Sequence, residues 1–129
     1  MIDRSTPPRP QRRVVIVDDD PAFVDTLSAM VLSLGYEVTI SPDARSSDTF
    51  ELTDDDIVFI DVLMPNHSGL QVLDQLARQK ATCAIILMSG HLEKLDGAEQ
   101  YAESLDLNLI GALEKPFRLE DIKDVLSVA

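Results

Sequence analysis

Two rhythms of apolar residues alternate along this chain. Val14–Val17, Ile57–Ile60 and Ala84–Met88 are short, unbroken runs that predict strands buried on both faces, and Leu109–Leu113, interrupted by Gly111, predicts a further strand. Tyr36–Ile40 alternates and predicts one more short strand. Between the strands the period lengthens. Phe23, Leu27, Met30, Val31 and Leu34 share one helical face, with Asp20 as N-cap, Pro21 at the first position and Gly35 as the stop. A second helix opens at Ser41-Pro42-Asp43 and runs to about Leu52, burying Ala44, Phe50 and Leu52. Ser68 caps a third, whose stripe is Leu70, Leu73, Leu76 and Ala77. Ala98–Leu105 predicts a fourth, with Leu92–Gly97 as a loop or an extra turn. Leu119, Ile122, Val125 and Leu126 mark a closing helix that reaches the end of the chain. Strands and helices in alternation predict an α/β fold, a five-stranded parallel sheet with helices on both faces and right-handed crossovers.

The first residues stand apart. Pro7, Pro8 and Pro10 among Ser, Thr and Arg make residues 1–12 a disordered tail, leaving 13–129 as one domain of ordinary size for a single core. The net charge of −12 is uneven. Residues 1–13 carry four arginines against one aspartate, so the remainder is −15, a poor match for direct nucleic-acid binding. The single cysteine, Cys83, forbids an internal disulfide, and its place before an apolar strand reads as a structural thiol. No apolar run reaches the length of a membrane span and no signal-peptide pattern opens the chain, so a cytoplasmic location is the default expectation.

The chemistry gathers at strand ends. Asp61 closes the apolar run Ile57–Ile60, and open α/β sheets bind ligands at the carboxyl ends of their strands. The first predicted strand ends in Asp18-Asp19-Asp20, the fourth in Ser89-Gly90 and the fifth in Glu114-Lys115-Pro116. In a parallel sheet these ends share one edge. A like-charge pair at ~4 Å costs about 1 to 4 kcal/mol, so converging carboxylates call for a divalent cation or a lysine. Mg2+ suits such a site, because it takes few hard oxygen ligands from protein and keeps places for water and phosphate. A carboxylate nucleophile, a divalent cation, the Lys115 ammonium and the Ser89 hydroxyl are together the parts needed to transfer a phosphoryl group to aspartate.

With these residues in place, residues 13–129 resemble a receiver domain of two-component response regulators. Val-Asp-Asp-Asp-Pro is similar to the family's acidic pair, Ile-Asp-Val-Leu-Met-Pro to its phosphoacceptor motif, Met-Ser-Gly to its hydroxyl position and Glu-Lys-Pro-Phe to its lysine motif. The resemblance implies a flavodoxin-like (βα)5 fold in which Asp61 is phosphorylated by a sensor histidine kinase or histidine phosphotransfer protein. It implies that Asp18, Asp19 and Asp61 hold Mg2+ with the backbone carbonyl of Leu63. Ser89 and Lys115 would contact the phosphoryl group, and Lys115–Pro116 is expected to be cis. The phosphorylated domain would shift the face built by the fourth and fifth helices and strand five, acting on an output domain or partner protein. Self-phosphorylation and self-dephosphorylation would be its only catalysis, and a monomer or weak homodimer its state. The wording Ser-Gly-His and Gly-Ala-Leu-Glu-Lys-Pro-Phe is similar to receivers that precede EAL-type cyclic-di-GMP phosphodiesterase domains, so an excised or a stand-alone receiver is expected.

Two departures bear on the output face. Ala112 occupies the position three before the lysine, where the family often places an aromatic residue, and the interval from Ser89 to Lys115 is long. Ala112 supports a second reading, a phosphorylation-independent interaction module. A third, a haloacid-dehalogenase-type phosphatase with Asp18 as nucleophile and Asp20 as acid/base, leaves Asp61 and Met64-Pro65 unexplained. His67 and His91 lack a third metal ligand and read as surface. Met64 and Met88 read as strand-end packing, Asp54-Asp55-Asp56 as a solvated loop cap, and Asp20 as a helix cap and not a cation ligand.

Overall fold

Alternate residues of each central strand enter different cores. A computed structural model describes residues 12–41, 52–63 and 69–129. In β1 (Arg13–Val17), Val14 and Ile16 face one side while Val15 and Val17 face the other. In β3 (Ile57–Asp61) the pairs are Ile57 with Phe59 and Val58 with Ile60. In β4 (Ala84–Ser89), Ala84, Ile86 and Met88 oppose Ile85 and Leu87. These residues are almost wholly buried, which is why the runs are continuously apolar. With the edge strands β2 (Glu37–Ser41) and β5 (Leu109–Glu114) they form one parallel sheet in the order β2-β1-β3-β4-β5. The expected five-stranded α/β architecture is found, with four helices among the described residues.

The helix α1 (Pro21–Ser33) buries Val24, Leu27 and Val31 against one core, together with Ile122, Val125 and Leu126 of α4 (Leu119–Leu126). On the opposite face α2 (Gly69–Arg78) supplies Val72, Leu73 and Leu76, and α3 (Leu92–Ser104) supplies Leu95, Ala98 and Ala102. Asp20 caps α1 as expected, its Oδ1 accepting the N–H of Ala22 at 3.2 Å and of Phe23 at 3.4 Å. Such a cap contributes about 1 kcal/mol. Gly35 follows the helix with φ +91°, a conformation that glycine adopts without cost. No helix among the described residues is long and apolar enough to cross a membrane.

The structure corrects three expectations. Leu92–Gly97 is neither loop nor extra turn but the first half of α3. Leu95, Ala98 and Ala102 fall on one helical face at three- and four-residue spacing and bury fully, and this packing fixes a helix that local propensity left undecided. The closing helix ends at Leu126, and the last residues tighten into turns, Val128 N–H donating to Val125 O at 3.3 Å and Ala129 N–H to Leu126 O at 3.2 Å. Asp56 is not a solvated cap. It is 4% exposed and its Oδ2 takes the Arg13 guanidinium at 2.7 Å and the Thr53 N–H at 2.8 Å, tying the start of β1 to that of β3. Of the second predicted helix, Ser41 closes β2 and Leu52 is irregular, and the residues between lie outside the described ones. The tail through Gln11, and Met64, Pro65, His67 and the Ser68 cap, also lie outside them.

One irregularity matters for the site. β4 and β5 are in register at Ile85 and Leu109, but Ile86 pairs with Gly111, so β5 carries one extra residue. The bulge sets Glu114 opposite Ser89 and leaves Lys115 next in line, its N–H donating to Ser89 O at 2.8 Å. It also turns Gly111 toward α4, where a Cβ would lie 2.4 Å from Val125 Cγ2. Only glycine admits the helix this close.

Candidate functional site

Strand order reverses between β1 and β3, since β1 pairs with β2 on one side and β3 on the other. Ligand crevices in open α/β sheets form at this switch, beyond the carboxyl ends. Asp18 leaves β1 and Asp61 ends β3, each on the side of the strand that faces α1, as the alternation of Val14, Ile16, Ile57 and Phe59 requires. Both are buried, Asp18 to 1% exposure and Asp61 to 6%. Asp19 is half-buried beside them. One carboxylate oxygen from each of Asp18, Asp19 and Asp61 lies within 4.8 Å of the others.

Lys115 enters from β5. Its Nζ stands 2.8 Å from Asp18 Oδ2 and 3.3 Å from Asp61 Oδ2. The remaining carboxylate oxygens are oriented from the backbone. Asp18 Oδ1 accepts the Asp20 N–H at 3.0 Å, and Asp61 Oδ1 accepts the Leu63 N–H at 3.2 Å. Burial pushes the Asp61 carboxyl up to about 6, the Asp18 charge adds to the rise, and Lys115 and the Leu63 N–H oppose it. Three carboxylates and one ammonium leave an excess of two negative charges, which a divalent cation would balance. The donors also fit Mg2+, whose oxygen ligands at about 2.1 Å stand about 3 to 4 Å from each other.

The edge therefore assembles Asp18, Asp19, Asp61 and Lys115 from three strands, as expected. Ser89 is fully buried at the end of β4, and its Oγ accepts the His91 N–H at 3.0 Å. Leu63 is exposed just past β3. The Lys115–Pro116 peptide is cis. Met88 is core, His91 is exposed, and Asp20 serves the helix. Cys83 is a buried thiol that burial, aided by nearby Asp56, pushes up to about 11, so it stays protonated and inert at neutral pH.

Sequence reasoning missed two aromatic residues. By spacing Phe23 belongs only to the apolar stripe of α1, yet its ring centroid lies 3.9 Å from Lys115 Nζ. Phe117 meets that ring edge-on, with centroids 5.5 Å apart and planes at 84°. The available signal was an aromatic residue in the first turn of the helix that leaves the acidic run, a place on the site's own edge.

Known proteins share this arrangement of elements. A response regulator from Colwellia psychrerythraea superposes with a TM-score of 0.82 at 33% identity, over 92% of this chain and 95% of that one. TrrA from Thermotoga maritima, solved in complex with Mg2+-BeF, has the same fold with a TM-score of 0.75 at 22% identity, over 91% of this chain and 97% of its own. The positive alginate biosynthesis regulatory protein of Pseudomonas aeruginosa is 33% identical over 121 residues, 90% of this chain and 46% of that protein. The transcriptional regulatory protein FixJ of Bradyrhizobium diazoefficiens is 30% identical over 105 residues, 81% of this chain and 49% of its own. The chain thus spans about half the length of these curated relatives. The response regulator receiver domain model matches residues 14–127, from the first residues of β1 past the end of α4, so that the acidic edge and the sheet that builds it fall wholly within the match. This chain belongs to the response regulator receiver domain family.

Proposed function

We propose that Asp61 accepts a phosphoryl group from the phosphohistidine of a sensor histidine kinase or histidine phosphotransfer protein. Phosphorylation of an aspartate with Mg2+ is the general function of the family. The observation that carries the assignment to this residue is the convergence of Lys115 Nζ on Asp18 and Asp61, with Asp19 beside them. Asp18, Asp19 and Asp61 would hold the cation, completed by the Leu63 carbonyl. Bound Mg2+ would neutralise charge on the carboxylates and on the phosphoryl oxygens.

The transfer then needs little more than positioning. A carboxylate oxygen of Asp61, ionised at neutral pH, forms a bond to phosphorus as the donor P–N bond breaks. The electron pair of that bond stays with the donor imidazole, which takes up a proton. Lys115 follows the charge from the carboxylate to the phosphoryl oxygens, and the Ser89 hydroxyl, whose oxygen accepts the His91 N–H, has its own proton to donate to one of them. A water molecule in the donor's place would attack the same phosphorus, breaking its bond to the Asp61 oxygen, restoring the carboxylate and releasing inorganic phosphate with the proton of the water, so that dephosphorylation is an activity of the domain itself. The phosphoryl group biases two shapes of the face made by α3, β5 and α4, and that face acts on an output domain or a partner protein. Ala112, half-buried against the α2–α3 core, cannot supply the inward swing of an aromatic ring, so the family's usual coupling of the hydroxyl to an aromatic residue cannot operate unchanged.

The phosphatase reading, with Asp18 as nucleophile and Asp20 as acid/base, is disfavoured because the Asp20 carboxylate is taken up in capping α1 and because it gives the buried Asp61 no part. Intact mass after incubation with acetyl phosphate tests the proposal. The expected result is one phosphate adduct that requires Mg2+ and is lost in Asp61→Asn. Equal labelling of Asp61→Asn and the parent refutes it.

A further inference from the structure

The aromatic pair beside the acidic edge has no part in the chemistry above. Lys115 must choose between two carboxylates, an incoming phosphoryl group and bulk water. Its side chain is 17% exposed, so water is within its reach. The ammonium also stands over the face of Phe23, with the ring centroid 3.9 Å from Nζ. That distance is well inside the range of about 6 Å over which a ring quadrupole attracts a cation. Phe117 packs edge-on against the same ring at 5.5 Å and 84°, the arrangement that aromatic pairs prefer, and so fixes its plane. The two rings come from separate elements. Phe23 lies in the first turn of α1, and Phe117 follows Lys115 itself by two residues.

We propose that Phe23 is a positioning residue for phosphoryl transfer, its ring face holding the Lys115 ammonium over Asp61 and Phe117 holding the ring. This rests on the phosphoacceptor reading of the site. A long, flexible lysine loses much rotamer freedom when it is fixed, and the ring bears part of that restraint before any phosphoryl group arrives. Phe23 touches no reacting atom and acts only through Lys115. Plain packing is the rival explanation, because Phe23 also lies against the α1–α4 core.

Rates of phosphorylation by acetyl phosphate with Mg2+ separate the two, in the parent, Phe23→Leu, Phe23→Tyr and Phe23→pentafluorophenylalanine. The last keeps the outline of the ring and reverses the charge on its face. We expect Phe23→Leu and the fluorinated variant to be slower by about fivefold, the scale of one cation–π contact, and Phe23→Tyr to stay within about twofold of the parent. A fluorinated variant as fast as the parent overturns the proposal, whether or not Phe23→Leu folds. The NMR shift of the Lys115 Hε protons, read without phosphate, tests the contact by itself. They should lie upfield of those of exposed lysines in the parent and return in Phe23→Leu, and a normal shift in the parent overturns the contact. A parent that takes no phosphoryl group refutes the phosphoacceptor reading, and with it the role of Phe23, while the shift still reports on the contact.

Discussion

Asp61 should destabilise the protein at neutral pH, and replacing it by asparagine should make the fold stronger. Burial and the Asp18 charge raise its carboxyl from the ordinary 3.8 to about 6, a rise of about two pH units. Each unit is about 1.4 kcal/mol, so holding the ionised form in the folded chain costs about 3 kcal/mol. The folded state binds this proton more tightly than the unfolded state does. Stability is therefore lost as pH rises from about 4 to about 6, and it stays lost above. Asparagine has the shape of the protonated acid and carries no charge at any pH. In EDTA at pH 7.5, Asp61→Asn should gain about 3 kcal/mol, or about 10 °C in thermal midpoint for a domain of this size. At pH 4.5, where the folded parent is itself protonated, the gain should shrink to about 1 kcal/mol. Thermal melts followed by far-UV circular dichroism at both pH values read both numbers. A variant no more stable than the parent at pH 7.5, or a gain equal at the two pH values, refutes the reasoning.

Two further predictions concern the frame around the site. Gly111→Ala should cost about 1 to 3 kcal/mol, because its Cβ would meet Val125 Cγ2 at 2.4 Å. Val125→Ala in the same chain should recover at least 1 kcal/mol relative to the sum of the single changes, as read by urea denaturation of all four proteins. Arg13→Gln should cost about 2 kcal/mol at pH 7, since it removes the guanidinium from the buried Asp56 carboxylate. Burial alone would raise that carboxyl, but Arg13 and the Thr53 N–H bring it below the ordinary 3.8. The pairing energy is thus present above the ordinary 3.8 and is lost as the pH falls through the lowered folded-state value, so urea midpoints of parent and variant should converge as the solution is acidified.

What could be read from the chain alone followed how local the deciding interactions are. Asp20, Pro21 and Gly35 act on backbone groups a few residues away, and α1 begins and ends where they predict. The N-terminal half of α3 carries only one side chain that buries, Leu95, and its partners come from other elements, so its helicity was not legible. Asp54-Asp55-Asp56 reads as a polar loop because nothing nearby in sequence marks its third member as the partner of Arg13, 43 residues earlier.

The site divides the same way. The sequence by itself determined that Asp18, Asp19, Asp61, Ser89 and Lys115 stand at strand ends, because an apolar run that stops at a polar residue marks the end of a buried strand whatever packs around it. From parallel strands it also followed that these ends share an edge. Only the tertiary structure decided which side chains meet there. The bulge between Ile85 and Ile86 shifts β5 by one residue, which brings Lys115 onto Asp18 and Asp61 and beneath the Phe23 ring. Register between strands far apart in sequence is fixed by the total packing of two cores, and no short stretch of residues encodes it.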